Sequence, residues 1–111
     1  MLEKVVIKVD EEVLQQHIMC AESALLDDLL VHGVEMIIGT EERLSARDKE
    51  DILYITDSGQ EYRALRQNGW YVLPYRHEKN QETDFTGAMY VLERVEEADY
   101  GTLDMAYRRL A

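Results

Sequence analysis

Ile52-Leu53-Tyr54-Ile55-Thr56-Asp57-Ser58-Gly59 is the stretch that decides the fold. Its first four residues are apolar without interruption, which suits a strand covered on both faces, as in a parallel sheet. Thr56-Asp57-Ser58-Gly59 then breaks the strand and opens a helix, because Asp57 or Ser58 can accept the amide hydrogens left free at a helix start. That helix is expected to run to about Asn68, with Tyr62 and Leu65 on its inner side, and to end at Gly69. Trp70-Tyr71-Val72-Leu73 returns as a strand and Pro74 stops it. Strand, helix and strand in this order predict that 52–55 and 70–73 run parallel.

Working outward, Val5-Val6-Ile7-Lys8-Val9 is β-branched and reads as a strand, with Asp10 placed to cap the helix that follows it. From Glu11 to His32 the spacing is helical: Leu14, Ile18, Ala21, Leu25 and Leu29 form one stripe. Met19, Leu26 and Leu30 widen it, so this helix or pair of helices is expected to be buried on more than one side, with Cys20 a buried thiol among them. Gly33 stops the helix, and Val34-Glu35-Met36-Ile37-Ile38 is a further strand. Residues 41–51 are charged and read as a surface connection of a helical turn or two, and 76–87 as a long polar loop. Ala88-Met89-Tyr90-Val91-Leu92 reads as a last strand. Asp99 caps a final helix with the stripe Tyr100, Leu103, Tyr107 and Leu110. The expectation is one three-layer α/β domain over 1–111, Rossmann-like, with a mostly parallel sheet of about four strands. An α+β arrangement with an antiparallel edge strand is the alternative. No glycine follows the final helix, as expected of an N-terminal domain excised from a longer chain.

Composition excludes several functions. The 111 residues are 46% apolar, enough for one real core. No run nears the roughly 18 apolar residues of a membrane span, and the start, Met1-Leu2-Glu3-Lys4, lacks a secretory signal. One cysteine, Cys20, excludes an internal disulfide and points to a reducing, cytoplasmic compartment. With 23 acidic against 12 basic residues and a net charge of −11, phosphate backbones and anionic membranes are not expected partners.

Ligands of open parallel sheets sit beyond the carboxyl ends of the strands. The groups expected there are Thr40, Glu41, Thr56, Asp57, Ser58, Tyr75, Arg76, His77, Glu78 and Asn80. The free amides after Ser58 would suit a small anion, although Asp57 and Ser58 serve equally as plain helix caps. His77 and Glu78 contain an acid and a base, but neighbours at a strand end point apart. No metal-ligand spacing, glycine-rich phosphate loop or paired nucleophilic aspartate occurs, so no cofactor, metal or catalytic residue is assigned. The arginines, Arg66 and Arg109 among them, are dispersed and read as solvated charge.

From residue 52 onward Ile52-Leu53-Tyr54-Ile55-Thr56-Asp57-Ser58, Asn68-Gly69-Trp70-Tyr71-Val72, His77-Glu78, Asn80, Asp84-Phe85, Gly87, Tyr90 and Tyr107-Arg108-Arg109 follow in order. This pattern, over about half the chain, resembles the α/β region that precedes a GNAT-type N-acetyltransferase domain in some proteins of anaerobic Gram-positive bacteria. The resemblance implies an accessory domain whose acyltransferase lies downstream; the acetyl-coenzyme-A loop of such enzymes is missing here. The strand before Thr56-Asp57-Ser58 also resembles a reduced core of haloacid-dehalogenase-type phosphatases, which implies fold and not activity. Two leading expectations follow. One is a non-catalytic module binding a small anionic ligand or a partner domain, with Tyr54, Trp70, Tyr71 and Tyr75 as anchoring surface. The other is a minimal enzyme handling phosphorylated small molecules. A structural homo-oligomer is the third. An apolar patch beside the last helix would favour a domain or subunit interface.

Overall fold

A computed structural model describes residues 1–39, 46–95 and 98–111. Thr40 and Glu41, placed by the sequence at the second strand's end, lie outside the described residues.

Four strands form one sheet: β1 (Lys4–Lys8), β2 (Glu35–Ile38), β3 (Ile52–Thr56) and β4 (Tyr71–Pro74). Their order is β2-β1-β3-β4 and every pairing is parallel, with Val6 beside Ile37 and Tyr54, and Tyr54 beside Val72. All five residues of β3 are buried, which explains its unbroken apolar run. Edge strand β2 is half-buried or exposed throughout.

The pleat divides the core in two. Val5, Ile7, Leu53, Ile55, Leu73 and Tyr75 face one side, and Val6, Ile52, Tyr54 and Val72 the other. The first side is covered by α1 (Glu11–Val13), a π turn (Leu14–Ile18), α2 (Leu25–Val31) and α4 (Tyr100–Leu110). The second is covered by α3 (Gly59–Gln67) through Tyr62 and Leu65, with Phe85 from the following loop. The chain is therefore a small three-layer, Rossmann-like α/β domain. A 3₁₀ helix, Ala46–Asp51, leads into β3.

Several expectations change. Of the two arrangements expected for 11–32, a helix or a pair, the pair forms: the chain breaks after the π turn, so Ala21 leaves the stripe and is exposed while Leu14, Ile18, Leu25 and Leu29 are buried. Met19 and Leu30 do not widen the buried stripe, being 42% and 59% exposed. Cys20 lies in the bend between the helices, half-buried rather than sealed in a core. Residues 88–92 form no fifth strand; only Leu92 bridges Tyr75, in parallel sense. Tyr54 and Tyr75 are buried and offer no anchoring surface, while Trp70 and Tyr71 are half-buried.

Candidate functional site

The strand order reverses between β1 and β3. The chain leaves β1 toward one face, into α1, and leaves β3 toward the other, into α3. Such a switch point opens a crevice beyond the carboxyl ends of the strands, and Asp57 stands in it. Its carboxylate oxygen Oδ2 accepts from the Asp10 amide at 2.9 Å and from His77 Nε2 at 2.8 Å. It thus ties the end of β3 to the end of β1 and to the segment after β4. The His77 side chain is only 2% exposed and that of Asp57 15%.

Hydrogen bonding assigns the imidazole tautomer. The Lys79 amide donates to Nδ1 at 3.0 Å, so the ring proton sits on Nε2, where it is given to Asp57. Asn80 completes the cluster. Its Oδ1 accepts from the His77 amide at 2.6 Å, and its Nδ2 donates to the carbonyls of Asp57 and Tyr75 at 2.9 and 2.8 Å.

Arg76 does not face the crevice as a free cation. Its guanidinium donates to the carbonyls of Asn80, Gln81 and Thr83 at 2.8–3.2 Å and lies over the Phe85 ring, folding the polar loop upon itself. Ser58 Oγ accepts from the Glu61 amide, and Thr56 Oγ1 from the Ser58 amide. The start of α3 is also covered: a Cβ on Gly59 would meet the Asp84 carbonyl and the Thr83 methyl, each at 3.1 Å. Of the amides at the start of α3, that of Glu61 is taken by the Ser58 cap, and residues 83–84 lie against Gly59.

An exposed charged ring surrounds this cluster. Lys79 pairs with Asp10 and Glu12, and Glu78 pairs with His17 at 3.2 Å. The Val13 amide first, and Lys79 second, hold the Asp10 carboxyl below its usual range. Glu12 pushes the Lys79 ammonium up. The Glu78 carboxyl is held low by its own backbone amide and then by His17. Between these groups lies a cleft of about 370 Å³ lined by His17, Tyr75, Arg76, His77, Glu78, Gln81 and Glu93.

Of the residues predicted from sequence, Thr56, Asp57, Ser58, Arg76, His77 and Asn80 meet at this edge, and Glu78 lines the cleft beside them, paired with His17. Both ring nitrogens of His77 are engaged within the cluster, Nε2 with Asp57 and Nδ1 with the Lys79 amide. Among the described residues no group of three His, Cys, Asp or Glu side chains could hold a metal ion. Sequence reasoning missed Lys79 and His17, which no motif marks.

It also missed the other side of the sheet. Beside β4, Leu73, Tyr90, Val91, Leu92, Met105 and Ala106 line an apolar groove of about 150 Å³. Met89 and Met105 are 67% and 54% exposed. A second hollow of about 290 Å³ lies along the same strand, with Arg66, Trp70, Tyr71, Val72, Met89 and Arg109 in its walls.

These features define a class: a Rossmann-like α/β domain with a hydrogen-bonded polar cluster and a polar cleft at its switch point, and an apolar groove at its β4 edge. No family model, curated protein or solved structure matches the chain.

Proposed function

We propose that the chain is a non-catalytic accessory domain that packs against a partner domain through the face formed by β4, residues 89–92 and α4. One observation carries this reading. The polar groups at the switch point bond to one another, whereas the apolar groove beside the last helix is open and flanked by exposed Met89 and Met105. A ligand that inserted between Asp57, His77 and Asn80 would have to displace bonds already made, each worth about 1 kcal/mol and more where a charge is involved. A partner side chain entering the groove displaces only water. The resemblance of residues 52–109 supplies a candidate for that partner, an acyltransferase domain.

The test is a random-peptide display library panned against the immobilised protein and counter-panned against Met105→Glu. Met105 is exposed on α4, so the substitution leaves the core intact. Expected are binders that the variant loses. Recovery of no binder, or of binders indifferent to the variant, would overturn the reading.

A further inference from the structure

The turn between α3 and β4 carries the only Asn-Gly pair of the chain, Asn68-Gly69, and both residues are exposed. In such a pair the glycine nitrogen can attack the side-chain carbonyl carbon of the asparagine, because no Cβ on the glycine obstructs the approach. The Gly69 nitrogen forms a bond to Asn68 Cγ, and the proton it loses ends on Nδ2, which leaves as ammonia. Water then opens the imide ring. Cleavage on one side of the ring nitrogen yields aspartate. Cleavage on the other yields isoaspartate, in which the main chain runs through the side-chain carbons.

The fold holds this reaction off. Ring closure needs Asn68 Cβ to eclipse the Gly69 nitrogen about the Cα–C bond. At the observed ψ of 8° the Asn68 nitrogen eclipses it instead, and Cβ is turned away. The side chain is drawn back along the helix, its Nδ2 donating to the Ala64 carbonyl at 2.8 Å. The attacking nitrogen is engaged as well: the Gly69 amide donates to the Arg66 carbonyl at 3.1 Å, with Gly69 at φ +84°. Further bonds keep the turn in this shape. The Trp70 amide donates to the Leu65 carbonyl at 3.1 Å, and the Lys49 ammonium donates to the Asn68 carbonyl. That ammonium also lies over the Trp70 ring, 5.1 Å from its centroid.

We infer that Asn68 is a self-modification site gated by this turn: shut while the end of α3 is folded, and converted covalently when that end opens. The products do not refit. Either one replaces the amide that bonds Ala64 with a carboxylate, at the negative end of the helix dipole. Isoaspartate also lengthens the main chain directly before β4, so the bonds from Gly69 and Trp70 back to the helix lose their register. An opening that would otherwise reverse is thereby made permanent. Asn80, the other asparagine, is no such site. Gln81 follows it, and its buried amide is bonded to the backbone through both Oδ1 and Nδ2.

The test incubates the full chain in mildly alkaline buffer, with and without denaturing guanidinium chloride. Conversion at each asparagine is followed by peptide mass spectrometry, with isoaspartate and aspartate separated by chromatography. Expected is conversion at Asn68 and not at Asn80, with a native rate at least about tenfold below the unfolded rate, because several turn bonds must open first. Lys49→Ala removes one of those bonds from outside the turn. It should raise the native rate about fivefold and leave the unfolded rate unchanged. The isolated isoaspartyl protein should unfold at lower urea than Asn68→Asp, which keeps the main chain at its normal length. Equal native and unfolded rates, a native rate indifferent to Lys49→Ala, faster conversion at Asn80, or an isoaspartyl protein as stable as Asn68→Asp would each overturn the inference.

Discussion

Replacing His77 by alanine separates a structural clamp from a binding group. The imidazole donates to the Asp57 carboxylate at 2.8 Å, and a bond to a charged group is worth about 1.5–3 kcal/mol. It accepts from the Lys79 amide at 3.0 Å, worth about 1 kcal/mol more. Its edge contact with Tyr75, centroids 5.2 Å apart, adds about 0.5–1.5 kcal/mol. These contributions overlap, so the expected loss is about 3–4 kcal/mol. With a urea slope near 2 kcal/mol per molar, the unfolding midpoint should fall by roughly 2 M. Glu78→Ala, one residue on, removes an exposed pair with His17 and the carboxylate's contact with its own amide, and should cost less than about 1 kcal/mol. A cycle with Asp57→Asn should show His77 and Asp57 coupled by at least about 1 kcal/mol. Urea unfolding of the unaltered protein, the three single variants and the His77→Ala/Asp57→Asn double variant is the assay. A loss below about 1 kcal/mol for His77→Ala, or an equal loss for Glu78→Ala, would refute the claim that this cluster holds the strand ends together.

Asp99 caps α4, and the Thr102 amide and then its hydroxyl hold the carboxyl below its ordinary value of 3.8. A lowered folded-state value means that the contribution is complete above that pH and fades as the pH falls below it. Asp99→Ala should therefore cost about 1 kcal/mol at neutral pH, with a gap to the unaltered protein that narrows below about pH 4, as measured by urea unfolding across the range. Gly69 ends α3 at φ +84°, so Gly69→Ala should destabilise by about 1 kcal/mol. Gly101 lies inside α4, where a Cβ meets only Asp99 Oδ1 at 3.5 Å, so Gly101→Ala should raise the melting temperature.

The sheet was legible where local chemistry and burial agree. Residues 52–59 announce a strand covered on both faces and a capped helix, and β3 and α3 form there, with Ser58 as the cap. Residues 88–92 carry strand chemistry too, and their side chains do sort between the two cores: Tyr90 and Leu92 pack on one, Val91 on the other. Yet side-chain alternation does not fix backbone pairing, which needs a register along the neighbour, and only Leu92 reaches it. The apolar period from Glu11 to His32 likewise hides a break, because a π turn shifts the helical phase before α2 begins. At the switch point the gathering of Asp57, His77 and Asn80 followed from topology. Their partners did not: whether Arg76 meets a ligand or three carbonyls of its own loop depends on how residues 80–83 fold back.

That difference in partners decides where binding energy is available. A donor already bonded at 2.8–3.0 Å inside the protein gains little by exchanging that partner for a ligand atom. At the switch point His77, Asn80 and Arg76 are engaged in joining β1, β3 and the segment after β4. The β4 side is the reverse. Its groove is apolar, its methionines are exposed, and burying such surface yields about 25 cal/mol per Å². The strand ends are thus tied to one another by side-chain hydrogen bonds, and the β4 edge carries the apolar surface on which the proposed docking rests.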